Sequence, residues 1–125
     1  MIPVSDQDRA LAFYVEALGF RRRVDFEYAD GIRWVEVEPA GEGNPIGLSL
    51  ALDDHPGIET RVAFNTSELE ADHAELQRRG ADVGPILRED DAVVHWGGIV
   101  LGGTPPMCLV RDPDGNSLLL VQGPG

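Results

Sequence analysis

The residues of this chain that could do chemistry are few: three histidines, one cysteine, and a pair of glutamates on neighbouring predicted strands. His55, His73 and His95 fall in a loop, on a helix and in a second loop. No two of them stand one helical turn apart, the spacing that lets a helix offer two imidazoles to one metal. His73 shares a stripe with Leu69 and Leu76, which favours a half-buried helix residue over a ligand, and His55 before Pro56 reads as an exposed turn residue. His95 adjoins Trp96 in a Gly-rich loop of the kind that closes over a cavity, so a catalytic role stands beside a structural one. Glu27 and Glu36 can act as acid and base if they share a face, or simply charge a solvated sheet. Cys108 lies in a predicted strand and reads as a small buried apolar residue rather than a nucleophile. Arg21, Arg22 and Arg23 read as a surface run that offsets acidic surroundings.

The elements that must position these residues emerge from pattern. Asp6 is a helix N-cap, Leu11, Tyr14, Val15 and Leu18 repeat at helical spacing, and Gly19 can stop the helix in the left-handed conformation. Val24, Phe26 and Tyr28 alternate with Asp25 and Glu27 up to Asp30-Gly31, a two-residue hairpin turn. A tight turn there sets Val35 opposite Phe26 and Val37 opposite Val24, leaving Trp34 and Glu36 on the face of Asp25 and Glu27. After a Gly- and Pro-rich loop, Pro39 to Pro45, a strand is expected over Ile46 to Leu52. The plan then repeats. Thr60 to Asn65 is a strand, Ser67 and Glu70 form a capping box, a helix runs to Gly80, and a strand spans Ala81 to Leu87. A long loop through Trp96 leads to Met107–Arg111, the turn Asp112-Pro113-Asp114-Gly115 and a last strand, Ser117 to Gln122. Both halves read strand, helix, strand, strand, strand, with the period of about 60 residues that one duplication produces. The expected class is α+β, one domain over residues 1–125 built from module 1–55 and module 56–125.

Bulk properties narrow the function. With 125 residues, 42% of them apolar, the chain can bury a substantial core. Its net charge of −12 repels phosphate backbones and anionic membrane surfaces, so neither nucleic acid nor membrane is an expected partner. All 10 basic residues are Arg, from which no function is drawn. A lone cysteine suits a reducing compartment, no run approaches the roughly 18 apolar residues of a membrane span, and no export signal is visible, so the cytoplasm is expected.

Val4-Ser5-Asp6-Gln7-Asp8-Arg9-Ala10, Phe13-Tyr14 and Leu18-Gly19-Phe20 together resemble the opening of the vicinal oxygen chelate superfamily, which holds glyoxalase I, bleomycin-resistance proteins and extradiol dioxygenases. Arg111-Asp112-Pro113-Asp114-Gly115-Asn116 resembles its closing hairpin, and the likeness covers nearly the whole chain. The resemblance implies paired βαβββ modules whose curled mixed sheets enclose a small-molecule cavity, in a homodimer. Metal-using members carry His, Glu or Gln ligands on the first and last strands of the modules. Here those positions hold Arg61 and Leu119 in the second module and Leu48-Ser49-Leu50 in the first, while the remaining one falls about two residues before Met1. A guanidinium has no acceptor and Leu has no donor atom, so no metal and no cofactor is expected.

In a cavity of that kind Arg61 needs an acid or an anionic ligand beside it. An ion pair with Glu27, Glu36 or Glu59 and recognition of a carboxylate are both open. Trp34, Trp96, Phe64 and Met107, with Leu48 and Leu119, could wall a site for a ring-bearing ligand, or pack the core. The expected function is metal-independent binding of a small aromatic or hydrophobic compound, including an anionic one. The alternative is a lyase, isomerase or dioxygenase-like enzyme with an atypical site built on Glu27, Glu36 or His95.

Overall fold

The computed structural model describes residues 1–39 and 47–123, so most of the expected Pro39–Pro45 loop and the first residue of the strand after it lie outside the described residues. The chain divides into two units. The first comprises Met1–Ile58 with Asp112–Asn116, and the second Glu59–Arg111 with Ser117–Gly125.

Unit 1 runs β1 (Ile2–Val4), α1 (Gln7–Ala12) continued by a π-helical stretch (Phe13–Ala17), β2 (Arg21–Ala29), β3 (Ile32–Glu38) and β4 (Leu48–Leu52). Unit 2 runs β5 (Glu59–Thr66), α2 (Leu69–Arg78), β6 (Asp82–Val83), the hairpin β7 (Val94–Trp96) and β8 (Ile99–Leu101), then β9 (Met107–Arg111) and β10 (Ser117–Gln122). The sheets have the orders β1-β4-β3-β2 and β5-β10-β9-β6, and in each the first strand pairs in parallel with the last. Each unit is therefore a βαβββ module with a four-stranded mixed sheet, and the fold is α+β as the repeat predicts. No helix among the described residues is long and apolar enough to cross a membrane.

Asp6 caps α1 as expected, its carboxylate accepting from the Arg9 N–H at 3.0 Å, and Gly19 and Gly80 end their helices with φ of 73° and 80°. The buried stripe of α1 differs from the expected one. Gln7, Ala10 and Tyr14 are inside, whereas Leu11, Val15 and Leu18 are half-buried. Leu11 is already off the buried stripe before the π stretch begins, and that stretch, in which Leu18 N–H donates to Phe13 O at 3.2 Å, fits an extra residue into the turn beyond it. On α2 the capping box does not form. The Gln122 amide replaces it, accepting from Leu69 N–H at 3.0 Å and donating to Ser67 O at 2.9 Å, so the helix starts one residue late.

The strand expected over Ala81–Leu87 is cut to two residues because Pro85 has no N–H for the ladder, and Leu87 regains only an isolated bridge to Met107. The expected long loop instead contains β7 and β8 around Gly97-Gly98, whose φ values of 57° and 78° suit the two-residue turn. The sheet of unit 2 is buried on both sides. Cys108, Val110, Leu118 and Leu120 lie on the side of α2, and Met107 and Leu119 pack with Trp96 and Leu101 of the hairpin.

The turn 112–116 fastens unit 1 from within. Asp112 Oδ1 accepts from the N–H groups of Asp114 and Asn116, and its Oδ2 accepts from the Tyr14 hydroxyl at 2.9 Å. Burial, and next the Asp112 charge, push the Tyr14 phenol far above its ordinary range, so it stays a donor. Asp114 accepts from Ser5 and pairs with Arg9 at 2.9 Å.

Candidate functional site

The faces of the β2–β3 hairpin decide what unit 1 can bind. Ala29 pairs with Ile32 across Asp30-Gly31, which is the tight turn the sequence predicts. One residue further the register slips: Tyr28 is bulged, so that Glu27 meets Arg33, Phe26 meets Trp34, Asp25 meets Val35 and Val24 meets Glu36. Because alternate residues face opposite ways, this bulge exchanges the faces of residues 24–27, and a second bulge at Arg23 restores the alternation at Arg22 and Arg21. Phe26 thus leaves the expected aliphatic side and joins Trp34. The core face keeps Val35 and Val37 with Leu48 and Leu50, so Leu48 sits in the core and not beside Trp34. Glu27 and Glu36 are separated onto opposite faces. The Glu27 carboxylate accepts from Gly31 N–H at 3.1 Å, and Glu36 faces Arg23 at 3.7 Å.

The result is an aromatic row open to solvent. Phe26 and Tyr28 have ring centroids 6.3 Å apart, Tyr28 and Trp34 likewise 6.3 Å, with interplanar angles of 64° and 70°, the edge-to-face geometry that aromatic quadrupoles prefer. Phe26 and Tyr28 nevertheless remain 53% and 57% exposed, and Ile32 and Leu52 beside them 49% and 59%. A contiguous apolar surface of this kind is a site for something else to cover.

Beside the row lies a cleft of about 290 Å³, at the small end of the ~300–1,000 Å³ usual for ligand pockets. It opens because β3 and β4 pair only at Glu36–Ser49 and Val37–Leu48, beyond which β4 is paired with β1 along its other edge alone. Tyr28, Ile32 and Trp34 form one wall; Ser49, Ala51 and Leu52 form the other. Under the gap the Gln7 amide reaches from α1 and ties the strands, donating to Arg33 O at 3.0 Å and Leu50 O at 2.9 Å. The Arg33 guanidinium is committed elsewhere. It forms a fork with Asp25 at 2.6 and 2.7 Å and meets Asp8 at 2.6 Å, and its bonds hold the Asp25 carboxyl below the usual carboxylate range. The cleft is therefore apolar and aromatic, with one amide in its floor.

In unit 2, Arg61 is exposed and sits at φ 62°, a left-handed conformation unusual outside glycine, where β5 bulges against β10 between Ser117 and Leu119. Thr60 holds the bulge, donating to Ser117 O and accepting from Val62 N–H. The aliphatic stem of Arg61 lies against Gly97, and among the described residues of unit 2 its guanidinium makes no ion pair, the one expected with Glu59 included. Trp96 is 2% exposed and packs with Met107 and Leu119, its indole N–H donating to Ser117 Oγ at 2.7 Å. The ring itself fills this side of the sheet. Phe64 is half-buried on β5, and His95 alternates with Trp96 so as to face outward. Burial pushes the Cys108 thiol up to about 11, which leaves it protonated and unreactive.

A divalent metal does not fit what these positions offer. Leu119 is an apolar side chain locked into the Trp96 cluster, Arg61 is a cation, and no three His, Cys, Asp or Glu side chains converge among the described residues.

Missing from the sequence reading were Phe26 and Tyr28 as an exposed aromatic surface and Gln7 as a tie across the cleft. The β7–β8 hairpin, expected only as a loop, has a signal in the apolar runs on either side of Gly97-Gly98, whereas nothing in Tyr28 or its neighbours announces a bulge.

Comparison with known proteins agrees with this geometry. The model of the Glyoxalase/Bleomycin resistance protein/Dioxygenase superfamily matches residues 1–120. Among solved structures, the chain is 32% identical to TnmS3, an antibiotic binding protein from Streptomyces sp. CB03234, over 96% of this chain and 88% of that one, with a TM-score of 0.66. It is 32% identical to a glyoxalase/bleomycin resistance protein, also from Streptomyces sp. CB03234, over 97% and 95% of the two chains, with a TM-score of 0.65. A member of the superfamily from Sphaerobacter thermophilus DSM 20745 shares 28% identity over 96% and 90%, with a TM-score of 0.75. No curated protein matches. With a four-stranded mixed sheet in each βαβββ unit and a family match over nearly its whole length, the chain belongs to the glyoxalase/bleomycin resistance protein/dioxygenase superfamily.

Proposed function

We propose that this protein is a metal-independent binder of small aromatic or hydrophobic compounds, held in the β3–β4 cleft against Trp34 and Tyr28. The observation that carries the reading is the exposed aromatic row of Phe26, Tyr28 and Trp34 at the mouth of a ligand-sized cleft. Burying one such ring contact is worth about 1 kcal/mol beyond its area, and the row offers several. The similarity to an antibiotic binding protein supports sequestration of a ring-bearing compound as the biological role. A reducing cytoplasm suits the single cysteine, which is buried and free.

Trp34→Ala tests the site. Isothermal titration of the purified protein with naphthalene-2-carboxamide should give saturable binding that excess EDTA leaves unchanged. In Trp34→Ala the affinity should fall about tenfold or more, with little change in thermal stability because Trp34 is not fully buried. Equal affinities in the two proteins, or loss of binding with EDTA, would count against the reading.

Arg61 is not among the residues that line this cleft, so no preference for anions is assigned to the site.

A further inference from the structure

The floor of the cleft specifies more than an apolar ring. Gln7 is only 8% exposed, and its side-chain nitrogen donates to two backbone carbonyls, Arg33 O at 3.0 Å and Leu50 O at 2.9 Å. Carbonyl oxygens only accept, so the orientation of this amide is set by its partners and both of its N–H bonds are used. The amide oxygen Oε1 accepts from no donor among the described residues. None of their buried side-chain nitrogen or oxygen atoms is left without a partner, which agrees with an Oε1 that reaches solvent, and Gln7 lines the cleft.

We infer that the cleft selects ligands carrying an O–H or N–H, which donates to Gln7 Oε1 while the ring lies against Trp34 and Tyr28. This rests on the binding site proposed above and adds the polar group its occupant must carry. An apolar group placed there would strip water from an amide oxygen and return no hydrogen bond, and a carbonyl or ether oxygen would set two acceptors together. The other floor groups do not compete, since the amide nitrogen is fully occupied and Arg33 is held by Asp25 and Asp8, and the Ser49 hydroxyl in the wall, which can donate or accept, favours neither kind of ligand. Phenols and aromatic amines are the expected class.

The test compares 2-naphthol with 2-methoxynaphthalene, which keeps the rings and removes the donor, at neutral pH where the naphthol is protonated. The wild-type protein should bind 2-naphthol about tenfold more tightly by calorimetric titration. Gln7→Met should bring the two compounds within about twofold of each other by weakening 2-naphthol alone. If that variant fails to fold, the wild-type comparison decides by itself. Equal binding of the two compounds by the wild-type protein overturns the inference and leaves the cleft as a ring site. Binding of neither overturns the site and the inference together. A tenfold preference that survives in folded Gln7→Met removes Gln7 from it.

Discussion

Asn116→Ala is expected to destabilise the protein by about 3 kcal/mol, lowering the melting temperature by about 10 °C or more. Asn116 is fully buried and every polar atom of its side chain is used. Nδ2 donates to Pro3 O at 2.7 Å and to Asp112 Oδ2 at 2.8 Å, and Oδ1 accepts from the N–H groups of Gly57 and Ile58, each at 2.9 Å. Alanine deletes one side chain and leaves four groups short of a partner, one of them a buried carboxylate. A buried group without its partner costs about 1–3 kcal/mol, and partial relaxation keeps the sum below the full product. Tyr14→Phe is the graded control. It removes a single donor to Asp112 without emptying space and should cost about 1 kcal/mol. Denaturant unfolding of both variants checks the ranking, and an Asn116→Ala melting temperature within about 2 °C of wild type would show that the network is idle.

That network also shows where sequence and structure meet. Asp112-Pro113-Asp114-Gly115 announces a turn because each residue type has a local reason to be there: Pro fixes one angle, Gly tolerates another, and Asp accepts from its own backbone. The same local logic made both helices, their Gly stops and the βαβββ repeat legible. What local logic omits is the partner at a distance. That Tyr14 would give its hydroxyl to Asp112, or Gln122 would take over the cap of α2 from Ser67, depends on chain segments far apart in sequence.

The candidate site fared worse for a related reason. Its face was inferred by counting from the Asp30-Gly31 turn, and the count was right for one pair only. The bulge at Tyr28 then moved Phe26 onto the face of Trp34 and put Glu27 and Glu36 on opposite faces. Period-two alternation carries no error correction, so one extra residue inverts every inference up to the next bulge, here at Arg23. The aromatic character of the hairpin could be read, but not the side on which it lies.

Trp96→Ala is expected to have the largest effect of all, a loss of about 3–5 kcal/mol, and to convert a filled interior into a binding site. The sequence leaves this residue open between a cavity wall and core packing; its ring is packed inside, 2% exposed between Met107, Leu101 and Leu119 and tied to Ser117 Oγ. Removing it leaves an apolar void and an unanswered hydroxyl. Voids of that size lined by Leu, Met and Val stay dry and take up small apolar molecules of matching shape. Indole should therefore rebind where the side chain was lost and raise the melting temperature of Trp96→Ala by several degrees, as ligand binding to the native state alone requires, while leaving Trp96→Phe unmoved. A wall residue gives a different result: its truncation would enlarge a site that already exists, cost little stability, and show no rescue specific to the variant. The two outcomes separate a unit that encloses a ligand from one that has packed its own tryptophan into the place a ligand would occupy. The structure favours the second, which is why ligand binding is assigned to the open aromatic face of unit 1.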